Sequence, residues 1–196
     1  MELYQQDIKG QPGGILISDI MDGEQILLLG KSNVRKRKDI FESFGGKVEQ
    51  TDISSLHTAI RELVEEFFNI KISTEVVNEI CSEFRKNTGK SPYILKQYVY
   101  YGVSYLINLE GLNKIYQLLI LYDIDAMMNL IKYNNDGMFD VMKYIEERTI
   151  DGIPNDGLNE IKSIHIVKLN DIVDNKIHLR WFTNKIISKM LMKKKN

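Results

Sequence analysis

Cysteine and histidine are scarce in this sequence, and each scarcity narrows the kind of site that the chain can build. Among the 196 residues there is one cysteine, Cys81, so the chain cannot form an internal disulfide and fits a reducing compartment. We expect Cys81 to be a small core residue rather than a nucleophile. The three histidines, His57, His165 and His178, are too scattered for the spacing of a zinc site.

The sequence also lacks a strong excess of either charge and any long hydrophobic run. The formal net charge is -1, which argues against a strongly basic protein that coats nucleic acid. The longest apolar runs, such as positions 118–122, are far too short to span a bilayer. The first seven residues have neither a basic start nor an apolar segment, so no secretory signal is visible. These features predict a cytoplasmic protein with no membrane partner.

The overall composition is that of an ordinary globular protein, with 43% hydrophobic and 27% charged residues. A chain of this length can bury a proper core. We therefore expect a single domain over residues 1–196.

Three glutamates in one short segment carry the strongest chemical signal. Glu62, Glu65 and Glu66 are spaced i, i+3 and i+4, which places them on one face if the segment is helical. Like charges at that spacing repel each other, and a hard divalent cation, which prefers oxygen ligands, would offset the repulsion. The opposite face would pack into the core through apolar residues at helical spacing: Leu56, Ala59, Ile60, Leu63 and Phe67.

Paired glycines and an arginine distinguish this pattern from a merely solvated acidic helix. Gly45 and Gly46 precede the segment, and Arg61 stands directly before the first of the three glutamates. With these residues, positions 46–70 resemble the Nudix box of Nudix hydrolases, usually written G-x5-E-x7-R-E-U-x-E-E-x-G-U. The resemblance implies that the three glutamates bind Mg²⁺ or Mn²⁺ and that the carbonyl of Gly45 completes the metal site. It also assigns Arg61 to the arginine of the box.

Two departures from this signature lie in its loops. From Gly46 to Arg61 is fifteen steps where the family has fourteen, so one residue is inserted, and Asp52 takes the place of the first glutamate. The last glycine is missing, and positions 67–70 indicate a second one-residue insertion with Asn69 in the left-handed conformation, which asparagine tolerates. Both changes leave the glutamate face whole, so we expect an active site with an altered loop.

The resemblance implies an α/β fold, the Nudix-type α/β/α sandwich with a mixed sheet. Local patterns predict strands at 13–20, 25–29 and 93–107, the last broken at Gly102, and helices at 74–83, 109–132 and 138–147. The last two helices exceed a minimal Nudix fold, so we interpret about 109–148 as a helical insertion. Such an insertion would enlarge the core, cover the site as a lid, or mediate self-association or partner binding.

Residues outside the box complete the candidate site. Alternation over 160–169 predicts a returning strand, and in many Nudix enzymes a glutamate that opens this strand is a metal ligand or general base; Glu160 matches that position. Positions 177–192 predict a terminal helix that contains Trp181. The basic run 31–38 lies where Nudix enzymes often bind the phosphate groups of the substrate. The predicted substrate-binding residues are Arg35, Arg37, Lys47 and Trp181.

Together these features predict a metal-dependent Nudix hydrolase that cleaves the pyrophosphate bond of a nucleoside-diphosphate-linked substrate. The predicted catalytic residues are Arg61, which orients the glutamates, and Glu65, Glu66 and Glu160, one of which takes the proton of the attacking water. Positions 58–70, the strand after Glu160 and positions 179–181 resemble decapping Nudix enzymes, including those of large DNA viruses. Capped RNA is therefore the leading substrate. Small dinucleotides, nucleotide sugars and diphosphoinositol phosphates are alternatives, as is a catalytically inactive Nudix fold that only binds.

Overall fold

A mixed β-sheet forms the middle layer of the computed structural model, which describes residues 10–34, 36, 40–85, 93–148 and 160–192. Its strands are β1 (Gly13–Met21), β2 (Glu24–Ser32), β3 (Phe41–Glu42), β4 (Phe44–Gly46), β5 (Ile94–Val99), β6 (Val103–Ile107) and β9 (Ile161–Lys168). β1 runs parallel to β6 and antiparallel to β2 and β4, and β2 also pairs antiparallel with β3 and β9. The predicted turn between β1 and β2 is confirmed, because Asp22 and Gly23 both have positive φ, 52° and 78°.

Helices cover both faces of this sheet. They are α1 (Ser55–Leu63), α2 (Thr74–Arg85), α3 (Leu109–Tyr122), α4 (Ile124–Met127), α5 (Val141–Glu147), α6 (Leu169–Val173) and α7 (Trp181–Met192). Alternate residues of β1 and β2 point to opposite cores: Ile15 and Ile17 pack with α1–α3, whereas Leu16 packs with α6 and α7. The predicted α/β/α sandwich with a mixed sheet is confirmed. In the described ranges, no helix is both long and apolar enough to cross a membrane.

The predicted strand over 93–107 is a hairpin. β5 and β6 pair antiparallel, and the chain reverses at Tyr100–Gly102, where Tyr101 has a φ of 55°. The break expected at Gly102 is therefore a full turn rather than an interruption of one strand.

The helices predicted over 109–132 and 138–147 differ from those observed because two aspartates interrupt the pattern. Asp123 caps α4 by accepting a hydrogen bond from the amide of Ala126 (3.2 Å), so α3 ends at Tyr122. Asp140 likewise caps α5. Between these helices lies a small hairpin of β7 (Asn134–Asn135) and β8 (Met138–Phe139). The core includes four side chains of α3: Leu112, Ile115, Tyr116 and Leu119.

The terminal helix begins at Trp181, four residues later than predicted. Leu179 forms an isolated bridge with Phe41, and the amide of Arg180 donates to the carbonyl of Phe41 (2.8 Å). This extended stretch ties the C-terminal segment to β3. It also brings Arg180 beside the strand that leads into the glycine pair.

Candidate active site

The glutamate helix is anchored at its start and along one side. Ser54 caps α1 by accepting a hydrogen bond from the amide of His57 (3.1 Å), and Arg85 of α2 donates to the Ser54 hydroxyl (2.8 Å). The predicted apolar stripe is confirmed, since all five of its residues are buried. The helix therefore has one possible rotation relative to the sheet, with the glutamates on the side of β4.

Arg61 is a buried side chain that contacts two of the three glutamates. Its Nη1 donates to Glu65 Oε2 (3.0 Å), and its Nη2 lies 3.0 Å from Glu62 Oε1. Nη2 also donates to the backbone carbonyl of Lys47 (3.0 Å). One guanidinium thus fixes two carboxylates relative to the loop that follows the glycine pair.

Asp52, the residue in place of the first glutamate, is the main acceptor for Arg61. Arg61 Nε and Nη2 donate to its two oxygens at 3.1 and 2.9 Å, which is a bidentate pair. The same carboxylate contacts His57 Nδ1 (2.8 Å) and accepts from the Thr58 hydroxyl (3.0 Å). Burial acts to raise the pKa of Asp52, but the hydrogen bonds from Arg61, the Glu49 amide and His57 outweigh it and lower the pKa to about 2.

The helix widens into a π-helical turn over Val64–Phe68, and this turn carries Glu65 and Glu66. It ends at Asn69, whose left-handed conformation (φ 58°) was predicted and is confirmed. A π-helical turn holds an extra residue, so it takes up the insertion inferred at this end of the segment. The prediction of a regular α-helical face is wrong here: Glu65 lies against Arg61, whereas Glu66 is buried and its Oε2 accepts a hydrogen bond from the Gly45 amide (2.7 Å).

A cleft of about 490 Å³ opens above these residues. Its wall brings together five predicted site residues from distant parts of the chain: Gly45, Lys47, Glu62, Glu160 and Trp181. Arg61, Glu65 and Glu66 are not among the residues that line the cleft. The predicted residues Arg35 and Arg37 fall outside the described ranges, although Lys36 between them is exposed.

Buried carboxyl groups accumulate at the cleft. Burial, helped by the charges of Glu65 and Glu160 and opposed by Arg61, raises the pKa of Glu62 to about 7. Burial also raises the pKa of Glu66 well above its ordinary value, with Glu62, Glu42 and Glu160 adding to the shift. Glu160 therefore lies close enough to act electrostatically on both box glutamates.

The carboxylates fit a hard divalent cation by chemistry, although they do not converge on one point. In the described part of the chain, no group of three or more Asp, Glu, His or Cys side chains is arranged to hold a metal ion. The reason is that Arg61 holds one oxygen each of Glu62 and Glu65, while the Gly45 amide holds Glu66. Nevertheless, the donors are all oxygens, which Mg²⁺ and Mn²⁺ prefer as ligands. The Glu62 carboxylate also packs directly on Gly46, where any side chain would collide with it.

Sequence reasoning missed an ion pair beside the cleft. Arg180 Nη1 lies 2.6 Å from Oε2 of the buried Glu42, and Arg180 lines the cleft. The two residues are 138 positions apart. No local pattern could have joined them, because their contact depends on the bridge between β3 and the residues before α7.

An aromatic rim borders the cleft. Trp181 is 56% exposed and Tyr101 is 78% exposed, and their ring centroids lie 5.8 Å apart in an edge-to-face arrangement. Tyr100 contacts the same indole at 5.9 Å. Rings this large and this exposed offer apolar area to a planar ligand.

Comparisons with known proteins give structural likeness only. No protein-family model and no curated protein matches the sequence. The chain is similar to a solved MutT/nudix family protein from Enterococcus faecalis (17% identity, TM-score 0.31), over 56% of this chain and 40% of that one. It is similar to the NUDIX domain of Shewanella oneidensis NrtR, solved with ADP ribose (11%, TM-score 0.46), over 98% and 93% of the two chains. It is also similar to a mutT/nudix family protein from Listeria innocua (12%, TM-score 0.40), over 93% and 90%.

Proposed function

We propose that this protein is a Nudix hydrolase that cleaves a pyrophosphate bond in a nucleoside-diphosphate-linked substrate. The observation that supports the proposal most directly is the arrangement around Arg61, which binds Asp52 on one side and Glu62 and Glu65 on the other. The cleft above them also contains Glu160. If the glutamates were only the solvent-facing side of a helix, neither a buried arginine nor a glycine packed against a carboxylate would be required.

The proposed residues divide the chemistry among them. Glu62, Glu65, Glu66 and the Gly45 carbonyl would hold Mg²⁺ or Mn²⁺, which supplies positive charge to the diphosphate and activates water. Arg61 holds the glutamate oxygens in register. Glu160 or one of the box glutamates would take the proton of the attacking water. The reaction breaks one phosphorus–oxygen bond of the anhydride, and water supplies the new oxygen.

Substrate recognition is assigned to the wall and rim of the cleft. Lys47 and Arg180 provide positive charge near the carboxylates, which suits the phosphates that the reaction must hold. Trp181 and Tyr101 provide exposed rings on which a base can stack. We propose capped RNA as the substrate, since these rings suit a cap base and the basic run 31–38 suits the RNA body. Small dinucleotides, nucleotide sugars and diphosphoinositol phosphates are the alternatives.

The catalytic assignment is tested by neutralising the carboxylates one at a time. Glu65→Gln and Glu66→Gln should each lower turnover by about 100-fold or more, the usual effect of losing such a group. The assay should compare capped RNA and small diphosphates with saturating Mg²⁺ or Mn²⁺. Glu79→Gln is the matched control, because Glu79 is exposed on α2 away from the cleft. Near wild-type turnover in both variants would refute the hydrolase assignment and favour a binding module.

The substrate assignment is tested by measuring catalytic efficiency at a series of salt concentrations. Each RNA phosphate that is neutralised releases counterions, so log affinity for single strands falls with log salt by about 0.7 per contact. Replacing Arg35 and Arg37 with alanine should therefore reduce catalytic efficiency on long capped RNA much more than on a free cap dinucleotide, and should flatten the salt dependence. Equal losses on both substrates would mean that the basic run contacts the diphosphate itself. A wild-type preference for the dinucleotide would exclude decapping.

A further inference from the structure

The end of α5 contacts the backbone of the π-helical turn that carries two of the site glutamates. The carbonyl of Phe67, the residue after Glu66, accepts hydrogen bonds from Tyr144 Oη (2.6 Å) and from Nη1 of Arg148. Both donors belong to the helical insertion, and they stand 77 and 81 positions from Phe67 in the sequence. Both side chains are buried. The proposed chemistry uses neither residue.

Aromatic packing supports the same turn. Phe67 and Phe68 lie against Tyr144, with ring centroids 5.5 and 6.1 Å apart. Phe68 also lies 5.5 Å from Phe139 of β8, which stacks on Tyr116 of α3 at 4.5 Å. The helical insertion therefore contacts the turn through its backbone and through its side chains.

Helix capping explains Tyr144 but does not require Arg148. The last carbonyls of a helix have no partner within it, and the neutral hydroxyl of Tyr144 already satisfies the carbonyl of Phe67. A buried guanidinium is unfavourable, because its Nε and Nη2 have no hydrogen-bond partner within the described ranges. Burial lowers the pKa of Arg148, and the interactions with Tyr144 and Glu66 oppose that shift. Arg148 therefore lies close enough to Glu66 to balance part of its charge.

The place of Glu66 depends on this turn. Its Oε2 accepts a hydrogen bond from the amide of Gly45 (2.7 Å), and Gly45 lines the cleft. Because Glu66 directly precedes Phe67, a shift of the Phe67 carbonyl moves Glu66 as well. A π-helical turn is a rare form of backbone that is frequent at functional sites. Contacts from outside the helix stabilise it against an ordinary α-helical turn.

We propose that Tyr144 and Arg148 are positioning residues, which hold the π-helical turn through the Phe67 carbonyl and thereby keep Glu66 on the Gly45 amide. The helical insertion thus acts on the active site through two residues that do not line the cleft. For the reaction itself the inference rests on the proposed function, since Glu66 must then be a metal ligand. The contact between Glu66 and Gly45 can be measured without metal or substrate.

The first test is hydrogen exchange of the full chain, followed by NMR in EDTA. Tyr144→Phe removes one donor to the Phe67 carbonyl and keeps the ring. We expect the protection of the Gly45 amide to fall by roughly three- to tenfold, the range for one lost hydrogen bond. It is measured relative to the amide of Leu28, a buried residue of β2 that reports global unfolding.

The matched control removes another tyrosine hydroxyl from the helical insertion. Tyr133 Oη donates to Glu147 (3.1 Å) and not to the turn. In Tyr133→Phe the ratio of Gly45 to Leu28 protection should therefore equal that of wild type.

The second test measures turnover and Mn²⁺ binding. In Tyr144→Phe, kcat should fall about tenfold or more, the usual effect of losing an outer hydrogen bond of a metal site. KM should stay nearly unchanged, because the cleft wall is intact. Mn²⁺ affinity, measured by EPR without substrate, should weaken in parallel. Arg148→Gln should also lower kcat, and Arg148→Lys should restore part of it, because lysine keeps a charged donor.

Two results would overturn the inference: a Gly45 to Leu28 ratio that is unchanged in Tyr144→Phe or falls equally in Tyr133→Phe, and wild-type kcat in Tyr144→Phe while Glu66→Gln is inactive. If the ratio falls but Tyr144→Phe and Glu66→Gln both keep wild-type turnover, the positioning of the turn is supported and the proposed function fails instead. If the Arg148 variants do not fold, Tyr144→Phe decides alone, since it removes only one oxygen atom.

Discussion

Arg61 and Asp52 show how a single buried pair can determine the geometry of a whole site. A guanidinium removed from water is unfavourable unless its donors are satisfied, and here its acceptors are carboxylates and one carbonyl. Asp52 is itself held by His57 and Thr58 from the first turn of α1. The position of Arg61, and so of Glu62 and Glu65, is therefore set from the start of the same helix.

The first prediction at this scale concerns acid stability. The pKa of Asp52 is lowered from 3.8 to about 2, so its ionised form stabilises the fold above about pH 4, and this stability is lost as the pH falls toward 2. The shift corresponds to about 2 kcal/mol. In urea denaturation between pH 2.5 and 7, Asp52→Asn should have a lower free energy of unfolding than wild type at pH 7. On acidification, its free energy of unfolding should fall by less than that of wild type. Asp136→Asn, in an exposed turn, is the control, and parallel curves for wild type and Asp52→Asn would contradict the prediction.

The second prediction concerns the buried side of the helix. Leu63 is 0% exposed, so Leu63→Ala should lower the free energy of unfolding by roughly 2–5 kcal/mol, the usual range for a buried leucine. Leu95→Ala, at a leucine that is 49% exposed on β5, should change it by about 0.5 kcal/mol or less. Chemical denaturation of both variants measures the difference. Equal effects would mean that the helix is rotated relative to the structure.

At the scale of the secondary-structure element, the positions of Glu65 and Glu66 depend on how the helix ends. The π-helical turn and the left-handed Asn69 let the chain leave the helix while Glu66 stays against the Gly45 amide. An ordinary α-helical continuation would rotate Glu65 and Glu66 relative to Glu62, because successive residues turn by a different angle in the two helix types. The altered end of the signature is therefore part of the site.

The third prediction follows from the backbone of Asn69. In this conformation the Cβ atom lies too close to the following carbonyl oxygen, so a residue such as alanine, which has a Cβ but no polar group to bond locally, loses about 1–2 kcal/mol, whereas glycine does not. Asn69→Ala should lower both the melting temperature and the turnover, and Asn69→Gly should keep both close to wild type. Thermal unfolding and turnover of the two variants, measured side by side, provide the check. A stable and active Asn69→Ala would show that the turn does not position Glu65 and Glu66.

Sequence alone predicted the elements whose signals are local, and missed those that depend on distant contacts. The β1–β2 hairpin, the stripe of α1, the helix α2 and Asn69 follow from periodicity and turn chemistry. The end of α3 was missed because Asp123 interrupts an otherwise helical pattern. The Glu42–Arg180 pair and the contact of Arg148 with Phe67 join residues 138 and 81 positions apart, and no spacing rule reaches that far.

At the scale of the whole molecule, the fold brings separate segments of the chain to one cleft. β4 supplies the glycine pair, α1 supplies Glu62, Glu160 directly precedes β9, and Arg180 and Trp181 stand at the start of α7. The β5–β6 turn adds Tyr101. The result is a cluster of buried carboxyl groups beside positive and aromatic side chains. Self-association through the segment 109–148 stays a prediction; Leu121, Ile124 and Met128 are exposed there.

The last prediction uses the buried carboxyl group of Glu62 to detect a bound cation without measuring catalysis. The pKa of Glu62 is raised from 4.5 to about 7, so its protonated form contributes stability that is complete below about pH 4.5 and lost as the pH rises through 7. In EDTA the free energy of unfolding should therefore fall between pH 5 and 8, by up to about 3 kcal/mol from this group. Glu62→Gln should lose less stability over the same range, because only the contribution of Glu62 is removed and the raised pKa of Glu66 still contributes.

A cation that binds Glu62 must displace the proton, so its affinity rises with pH. Mn²⁺ or Mg²⁺ should therefore raise the melting temperature more at pH 8 than at pH 6, because a ligand that binds only the native state stabilises it by RT ln(1 + [L]/Kd), which grows as Kd falls. In Glu79→Gln, a change at an exposed position of α2, the cation should raise the melting temperature as it does in wild type. In Glu62→Gln the rise should be small at both pH 6 and pH 8. A cation effect that is independent of pH, or equal in Glu62→Gln and wild type, would place the metal elsewhere in the protein and leave the buried glutamates as a structural cluster.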